Sequence, residues 1–201
     1  MTNTSILYLG SGKLKFLESK LETSLFYVFL DRSYSVSDDI NVTVQKHKTW
    51  MATKLMDNSC VSMDVFDFLE TYPYRFDQVN SQRLFEHMFY DSGEIGRLLH
   101  LCYQITDEKK GKLTITVPNA DILADKLINL RSEKNLATLY DSALMLNTEF
   151  CNTRSDPHGS IWTPELAEYY ISREGWKIDS LIPNYKIDNR PIYLKLELVK
   201  Q

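Results

Sequence analysis

The stretch Ile6-Leu-Tyr-Leu-Gly-Ser-Gly12 narrows the folding options of this chain more than any other. Apolar and aromatic side chains run without a polar break into a glycine turn. Runs of that kind belong to strands buried on both faces, and such strands sit in parallel sheets covered by helices. A second run, Leu25-Phe-Tyr-Val-Phe-Leu30, closes on Asp31, and the residues Lys13–Leu21 between the two read as a short helix. Strand, glycine turn, helix and strand make the opening unit of an open α/β sheet.

The rest of the chain continues the alternation. A helix is expected around Val44–Met56, a third strand over Ser59–Met63 ending at Asp64, and a fourth over Phe76–Asn80 after the turn-like Tyr72-Pro-Tyr-Arg. Gly93 to about Ile105 reads as an amphipathic helix, with Ile95, Leu98, Leu99, Cys102 and Ile105 on one face. Lys112–Val117 is a fifth strand stopped by Pro118. Residues of about 119–160 carry no strand signal and read as a helical insertion over the ligand edge of the sheet. Thr163 then caps a helix with Pro164 at its first position. Trp176–Ile182 and Ile192–Val199 are joined by about nine residues, too few for a parallel crossover, so this last pair is antiparallel. The expectation is one domain over residues 1–201: an α/β, Rossmann-like, seven-stranded and mostly parallel sheet with an antiparallel last strand and helices on both faces.

A chain of 201 residues with 43% hydrophobic and 25% charged residues has an ordinary globular composition. The net charge of −4 argues against duplex nucleic acid as a partner. No apolar run nears the roughly 20 residues of a transmembrane helix, so no membrane partner is expected. The polar Met-Thr-Asn-Thr-Ser start lacks the features of a signal peptide. Three widely spaced cysteines, Cys60, Cys102 and Cys151, read as core thiols in a reducing compartment. These features predict a soluble cytoplasmic protein.

The glycine turn brings backbone N–H groups close to a ligand, and an acid at the end of the second strand accepts hydrogen bonds from ribose hydroxyls, so the opening unit suits a nucleoside-bearing cofactor. Four pieces sharpen this: Tyr8-Leu-Gly-Ser-Gly12, Phe76-Asp-Gln-Val79, Phe85-Glu-His87 and Val117-Pro-Asn119. In this order, with the terminal antiparallel pair, they resemble the class I S-adenosylmethionine-dependent methyltransferases over nearly the whole chain. The resemblance implies S-adenosylmethionine as cofactor, with Gly10, Ser11 and Gly12 along its methionine and ribose portions. It implies Asp31 on the ribose hydroxyls, Arg32 beside the adenine, Asp64 and the Val65 N–H on the adenine edge, and Ser81 bordering the methyl-transfer point. Two positions depart from the family pattern. Tyr8 stands where the family carries an acid, and Leu14 stands where it carries a third glycine.

Methyl transfer to a hydroxyl or amine requires alignment and a base. The Asn/Asp-Pro-Pro-Tyr signature of amino-methyltransferases is absent after the fourth strand. In its place Glu86 and His87 stand adjacent, with His158 before Trp162-Thr163, and these three are the candidate catalytic residues. The same arrangement resembles small-RNA 2′-O-methyltransferases, in which Glu and His side chains hold a divalent ion. Arg83 stands where that group has a further Glu, which disfavours a metal, so no metal ligand set is assigned. Structural roles compete: Glu86 as a cap or a partner of Arg83, His158 as a loop former, His47 and His100 as surface residues. The expected activity is methylation of a small-molecule or saccharide-like acceptor, recognised by residues of about 119–160 or by a homo-oligomeric or other partner subunit. The alternatives are a non-catalytic methyltransferase-like binding domain, metal-assisted 2′-O-methylation of a nucleic-acid end, and a nicotinamide enzyme using Gly10, Gly12 and Asp31. The last of these leaves the terminal antiparallel pair unexplained.

Overall fold

A computed structural model describes residues 4–10, 25–31, 43–45, 59–89, 91–130, 158–187 and 190–201. Its strands are β1 (Thr4–Leu9), β2 (Leu25–Leu30), β3 (Thr43–Gln45), β4 (Ser59–Val61), β5 (Gln78–Gln82), β6 (Lys112–Pro118), β7 (Trp176–Ile187) and β8 (Arg190–Lys200). The helices are α1 (Val65–Thr71), α2 (Glu94–Ile105), α3 (Ala120–Leu130) and α4 (Pro164–Ile171), the last being the helix expected from Thr163-Pro164. The strands form one eight-stranded sheet in the order β3-β4-β2-β1-β5-β6-β8-β7. Pairing is parallel from β3 to β6 and antiparallel across β6–β8 and β8–β7.

The expected α/β architecture is therefore present, with one strand added at an edge. Residues 43–45 form β3 where a helix was expected to begin, because Thr43 and Val44 are β-branched and suit an extended edge. Residues 46–56 and the expected helix at 13–21 lie outside the described residues. The fourth strand starts two residues later than its apolar run suggests, since Phe76 bonds with Ile105 and Asp107 and bridges to Thr106. Asp77 is spent on a latch: its carboxylate accepts from the Ser5 N–H at 2.8 Å and the Ser5 hydroxyl at 2.9 Å, fastening β5 to β1 at the end of the sheet away from the ligand edge. The final pair is a long antiparallel pairing of β7 with β8. The supposed loop of nine residues is mostly strand, because Ile192 and Tyr193, with Tyr185 and Ile187, bury themselves against Leu123 of α3.

The main core lies on the face of the sheet that carries Leu7, Leu9, Val28, Val79, Ile115 and Leu196, beneath α1, α2 and α4. The predicted apolar face of α2 is buried as Ile95, Leu98, Leu99, Cys102 and Ile105. Cys102 is a buried free thiol, and burial pushes its pKa far up. The side chain of Cys60 and all of Cys151 lie outside the described residues. Trp176 is fully buried, and its indole N–H donates to the Leu99 carbonyl at 3.1 Å. Of the expected insertion, α3 is the described part, and residues 131–157 lie outside it. Among the described residues no helix is long and apolar enough to cross a membrane.

Candidate functional site

β2, β4 and β3 lie on one side of β1, and β5, β6, β8 and β7 lie on the other. The reversal of strand order falls between β1 and β5, and open α/β sheets bind ligands in the crevice outside the carboxyl ends of strands at such a point. Gly10 closes β1 with φ +62 and donates its N–H to the Leu30 carbonyl at 3.0 Å. That backbone conformation is one that side-chain-bearing residues adopt rarely. A Cβ on Gly10 would stand 3.1 Å from the Leu84 Cβ, so the turn after β1 and the turn after β5 are packed together. Asp31 leaves β2 with its N–H on the Val61 carbonyl at 3.1 Å, which sets it between the ends of β2 and β4. Ser11, Gly12 and Arg32, like Leu14, lie outside the described residues.

Asp64 turns out to be the N-cap of α1, a helix that the sequence reading passed over. Its Oδ1 accepts from the Phe66 N–H at 2.9 Å and the Asp67 N–H at 3.4 Å. Both bonds fall on one oxygen, and the cap leaves the Val65 N–H outside its bonds. The spacing Asp64-Val-Phe-Asp67, an N-cap acid followed three residues later by a second acid, was the available signal. Ser81, at the end of β5, is 2% exposed, and its hydroxyl has no hydrogen-bond partner among the described residues. Tyr8 stacks on Phe29 at 5.4 Å between ring centres. Burial pushes the Tyr8 phenol above its usual range, while a hydrogen bond with Asn80 pulls it the other way.

The other side of the crevice is built by tertiary contacts. Arg83 leaves β5 at φ 59 and donates its N–H to the Thr116 carbonyl at 2.8 Å. The chain then makes a single 3₁₀ turn, Phe85–His87. The Glu86 carbonyl accepts two N–H groups from a strap far along the chain, Gly159 at 2.7 Å and Ser160 at 3.1 Å. The Ser160 hydroxyl donates to the Phe85 carbonyl and accepts from the Trp162 indole N–H, both at 3.0 Å. Gly159 is required, since a Cβ there would stand 2.9 Å from the Phe89 ring and 3.0 Å from the Met88 carbonyl. Asn119 clips the neighbouring corner. It donates its N–H to Ile192 at 2.8 Å and its side-chain amide to the Pro183 carbonyl at 2.7 Å, and its Oδ1 accepts from the Asp121 N–H at the start of α3.

This scaffold brings Glu86, His87 and His158 together, with one ligand atom from each lying within 4.8 Å of the others. The two imidazoles meet edge to face at 4.8 Å between centres. Glu86 is 1% exposed, and the Arg83 Nε stands 3.8 Å from its Oε1 as a counter-charge. The partnership with Arg83 is thus real, and it coexists with the histidine cluster. Beside the cluster a cavity of about 490 Å³ opens between the 3₁₀ turn, the end of β6, the strap and α4. His100 is remote: it lies on α2 with its ring 3.8 Å from Glu174. His47 lies outside the described residues. Gly159, Ser160, Trp162 and Asn119 were missed as builders of the site. Only the Val-Pro-Asn and Trp-Thr-Pro motifs hinted at them.

No family profile and no curated protein sequence matches the chain. Solved structures do resemble it. The 1,6-didemethyltoxoflavin-N1-methyltransferase of Burkholderia thailandensis, solved with 1,6-didemethyltoxoflavin and S-adenosylhomocysteine bound, matches with a TM-score of 0.62 at 13% identity, over 98% of this chain and 71% of its own. A SAM-dependent methyltransferase from Archaeoglobus fulgidus matches with a TM-score of 0.56 at 16% identity, over 98% and 86%. The pyocyanin biosynthetic protein PhzM matches with a TM-score of 0.56 at 15% identity. The match covers 99% of this chain, which spans about half the length of PhzM (51%). The chain has the class I methyltransferase fold. In that fold the crevice at Gly10, Asp31 and Ser81 and the cluster at Glu86 share one edge of the sheet.

Proposed function

We propose that the chain is an S-adenosylmethionine-dependent methyltransferase acting on a small-molecule acceptor, saccharides being the acceptor class first inferred from the sequence. The observation that carries this reading is the convergence, beside the strand-order reversal, of Glu86 and His87 from a turn packed against Gly10 with His158 from the strap. The residues suit the cofactor. A carboxylate at the end of β2 accepts from a diol, and the second oxygen of Asp64 with the Val65 N–H suits an adenine edge. Gly10 permits close approach of the main chain to a ligand, and the Ser81 hydroxyl adds a buried donor at the methyl-transfer side.

When bound, S-adenosylmethionine supplies an electrophilic methyl carbon, which the acceptor's lone pair takes as the carbon–sulfur bond breaks and its electron pair stays on sulfur. This chain's part is to position the acceptor and to remove its proton. His158 or His87 takes the proton, and the Glu86 carboxylate, with Arg83 beside it, stabilises the resulting imidazolium. A base within reach of the acceptor contributes on the order of 10²–10⁴ in rate.

Calorimetric titration with S-adenosylmethionine and S-adenosylhomocysteine tests the reading. Micromolar binding is expected, weakened at least ten-fold in Asp31→Ala, because losing a hydrogen bond to a charged group costs about 1.5–3 kcal/mol. No binding by either compound at millimolar concentration sinks the enzyme reading and leaves the non-catalytic domain. The histidine cluster also favours a second reading, in which Glu86, His87 and His158 hold a divalent cation that orients the acceptor. Methyl transfer that continues at the same rate with a chelator dismisses it.

A further inference from the structure

The cavity beside the catalytic cluster has walls of a consistent kind, and they speak to the acceptor. Pro118, Ala120, Leu123, Ile161, Trp162 and Leu166 supply apolar and aromatic surface. Several polar atoms of the strap are committed to the scaffold itself. The Trp162 indole N–H is spent on the Ser160 hydroxyl, that hydroxyl on the Phe85 carbonyl, and the Glu86 carbonyl on the Gly159 and Ser160 N–H groups. Among the described lining residues, the carboxylate and the imidazole are Glu86 and His158, which lie next to each other, and Tyr170 adds a phenol. The apolar character extends to the outside: Ile161 is 57% exposed and Leu166 37%. The ring of Tyr170 also lines the cavity and tilts toward Trp162 at 5.1 Å between centres.

We propose that the acceptor is an apolar aromatic ring system carrying a hydroxyl at one end, and that polyhydroxylated sugars are rejected. This rests on the methyltransferase reading above. A sugar presents hydroxyls around its whole periphery, and each one buried against carbon without a partner is penalised. A ring of carbon buries its faces on Trp162 and the aliphatic walls and offers a single polar edge to Glu86 and His158. A volume of about 490 Å³ falls within the roughly 300–1,000 Å³ typical of sites for small organic ligands, enough for a few fused rings. The aromatic oxygen is the nucleophile: its lone pair forms the new oxygen–carbon bond as the methyl carbon–sulfur bond of the donor breaks with its electron pair left on sulfur, and the hydroxyl proton goes to His158 or His87. A phenolic hydroxyl is far more acidic than a sugar hydroxyl, so a neutral imidazole suffices as base.

Saturation-transfer NMR on the intact protein with S-adenosylhomocysteine present tests this, with β-naphthol as probe and methyl glucoside as competitor class. β-Naphthol is expected to bind at least ten-fold tighter than the glucoside. Leu166→Asp and Ile161→Asp, both at exposed positions that leave the core intact, are each expected to weaken β-naphthol at least five-fold while circular dichroism stays unchanged. Glucoside binding as tight as β-naphthol, or β-naphthol binding indifferent to both substitutions, overturns the proposal. A parallel calorimetric titration with S-adenosylhomocysteine separates the two ideas. Its binding without β-naphthol binding removes only the aromatic acceptor. β-Naphthol binding without it upholds the pocket chemistry and removes the methyl donor.

Discussion

On the β1–β2–β4 side of the sheet edge, the groups proposed to face the cofactor come from the main chain and from carboxylates set directly at strand ends, and their anchoring bonds run to the adjacent strand or to the next turn of chain. Gly10 holds to Leu30, Asp31 to Val61, and Asp64 to the two N–H groups that follow it. On the β5–β6 side a carboxylate is buried to 1% exposure, and the main chain that carries it is held by a strap whose Ser160 lies 75 residues beyond Phe85 and is itself bonded by Trp162. Gripping a nucleoside calls for a turn and two acids, which a short local motif can encode. Burying a charged side chain beside two imidazoles calls for a counter-charge and for main-chain bonds from a distant strap, which only tertiary structure can bring together.

If that contrast holds, damage on the acceptor side spreads into stability while damage on the donor side stays local. The largest effect is expected from Trp162→Ala, which removes a 1%-exposed side chain in contact with Phe85 and Tyr170 and leaves the Ser160 hydroxyl without its donor. A loss of about 3–5 kcal/mol should appear in urea unfolding. A loss under about 1 kcal/mol would break the comparison. Gly159→Ala forces a methyl group against the Met88 carbonyl and the Phe89 ring. It should cost about 1–3 kcal/mol and lower turnover, with affinity for S-adenosylhomocysteine unchanged by calorimetry.

On the donor side, Asp64→Ala should lower stability by only about 1 kcal/mol through loss of the α1 cap. Asp64→Asn keeps a capping oxygen, so its melting temperature should stay at the wild-type value while cofactor affinity falls. The same fall in melting temperature for both variants would mean that charge, and not the cap, is what Asp64 contributes. The smallest effect is expected from a site belonging to neither side. Lys195 donates to Glu197 at 2.7 Å and holds its carboxyl below the usual range. A depressed carboxyl stabilises the fold above its unfolded-state value and loses that contribution as pH falls through the folded one. Glu197→Gln should therefore cost a few tenths of a kcal/mol near neutral pH, a difference that shrinks in thermal melts as pH falls below the ordinary glutamate value of about 4.3.

The same contrast explains what could be read in the sequence. Continuous apolar runs announced β1 and β2, the alternation of Leu113, Ile115 and Val117 with threonine announced β6, and Thr163-Pro164 announced α4, because propensity and pattern agree there. The short connection between the last strands gave their antiparallel pairing. Glu86 and His87 were visible as neighbours, and His158 through its place before Trp162-Thr163. Their meeting was not legible, since it depends on hydrogen bonds from Gly159 and Ser160 that no spacing rule contains. Helix α1 escaped because seven residues are too few for periodicity to show. The extension of β7 and β8 escaped because Pro183 and Pro191 read as loop, although α3 supplies the surface that keeps those strands extended.

Arg83 carries a backbone conformation that glycine would adopt freely, at φ 59, and a non-glycine residue there gives up about 1 kcal/mol or more. Its guanidinium stands 3.8 Å from Glu86 and 5.9 Å from the centre of the Tyr193 ring. The strained backbone and the charge beside Glu86 are thus opposed contributions of a single residue: glycine in this place would relax the turn and take the counter-charge away.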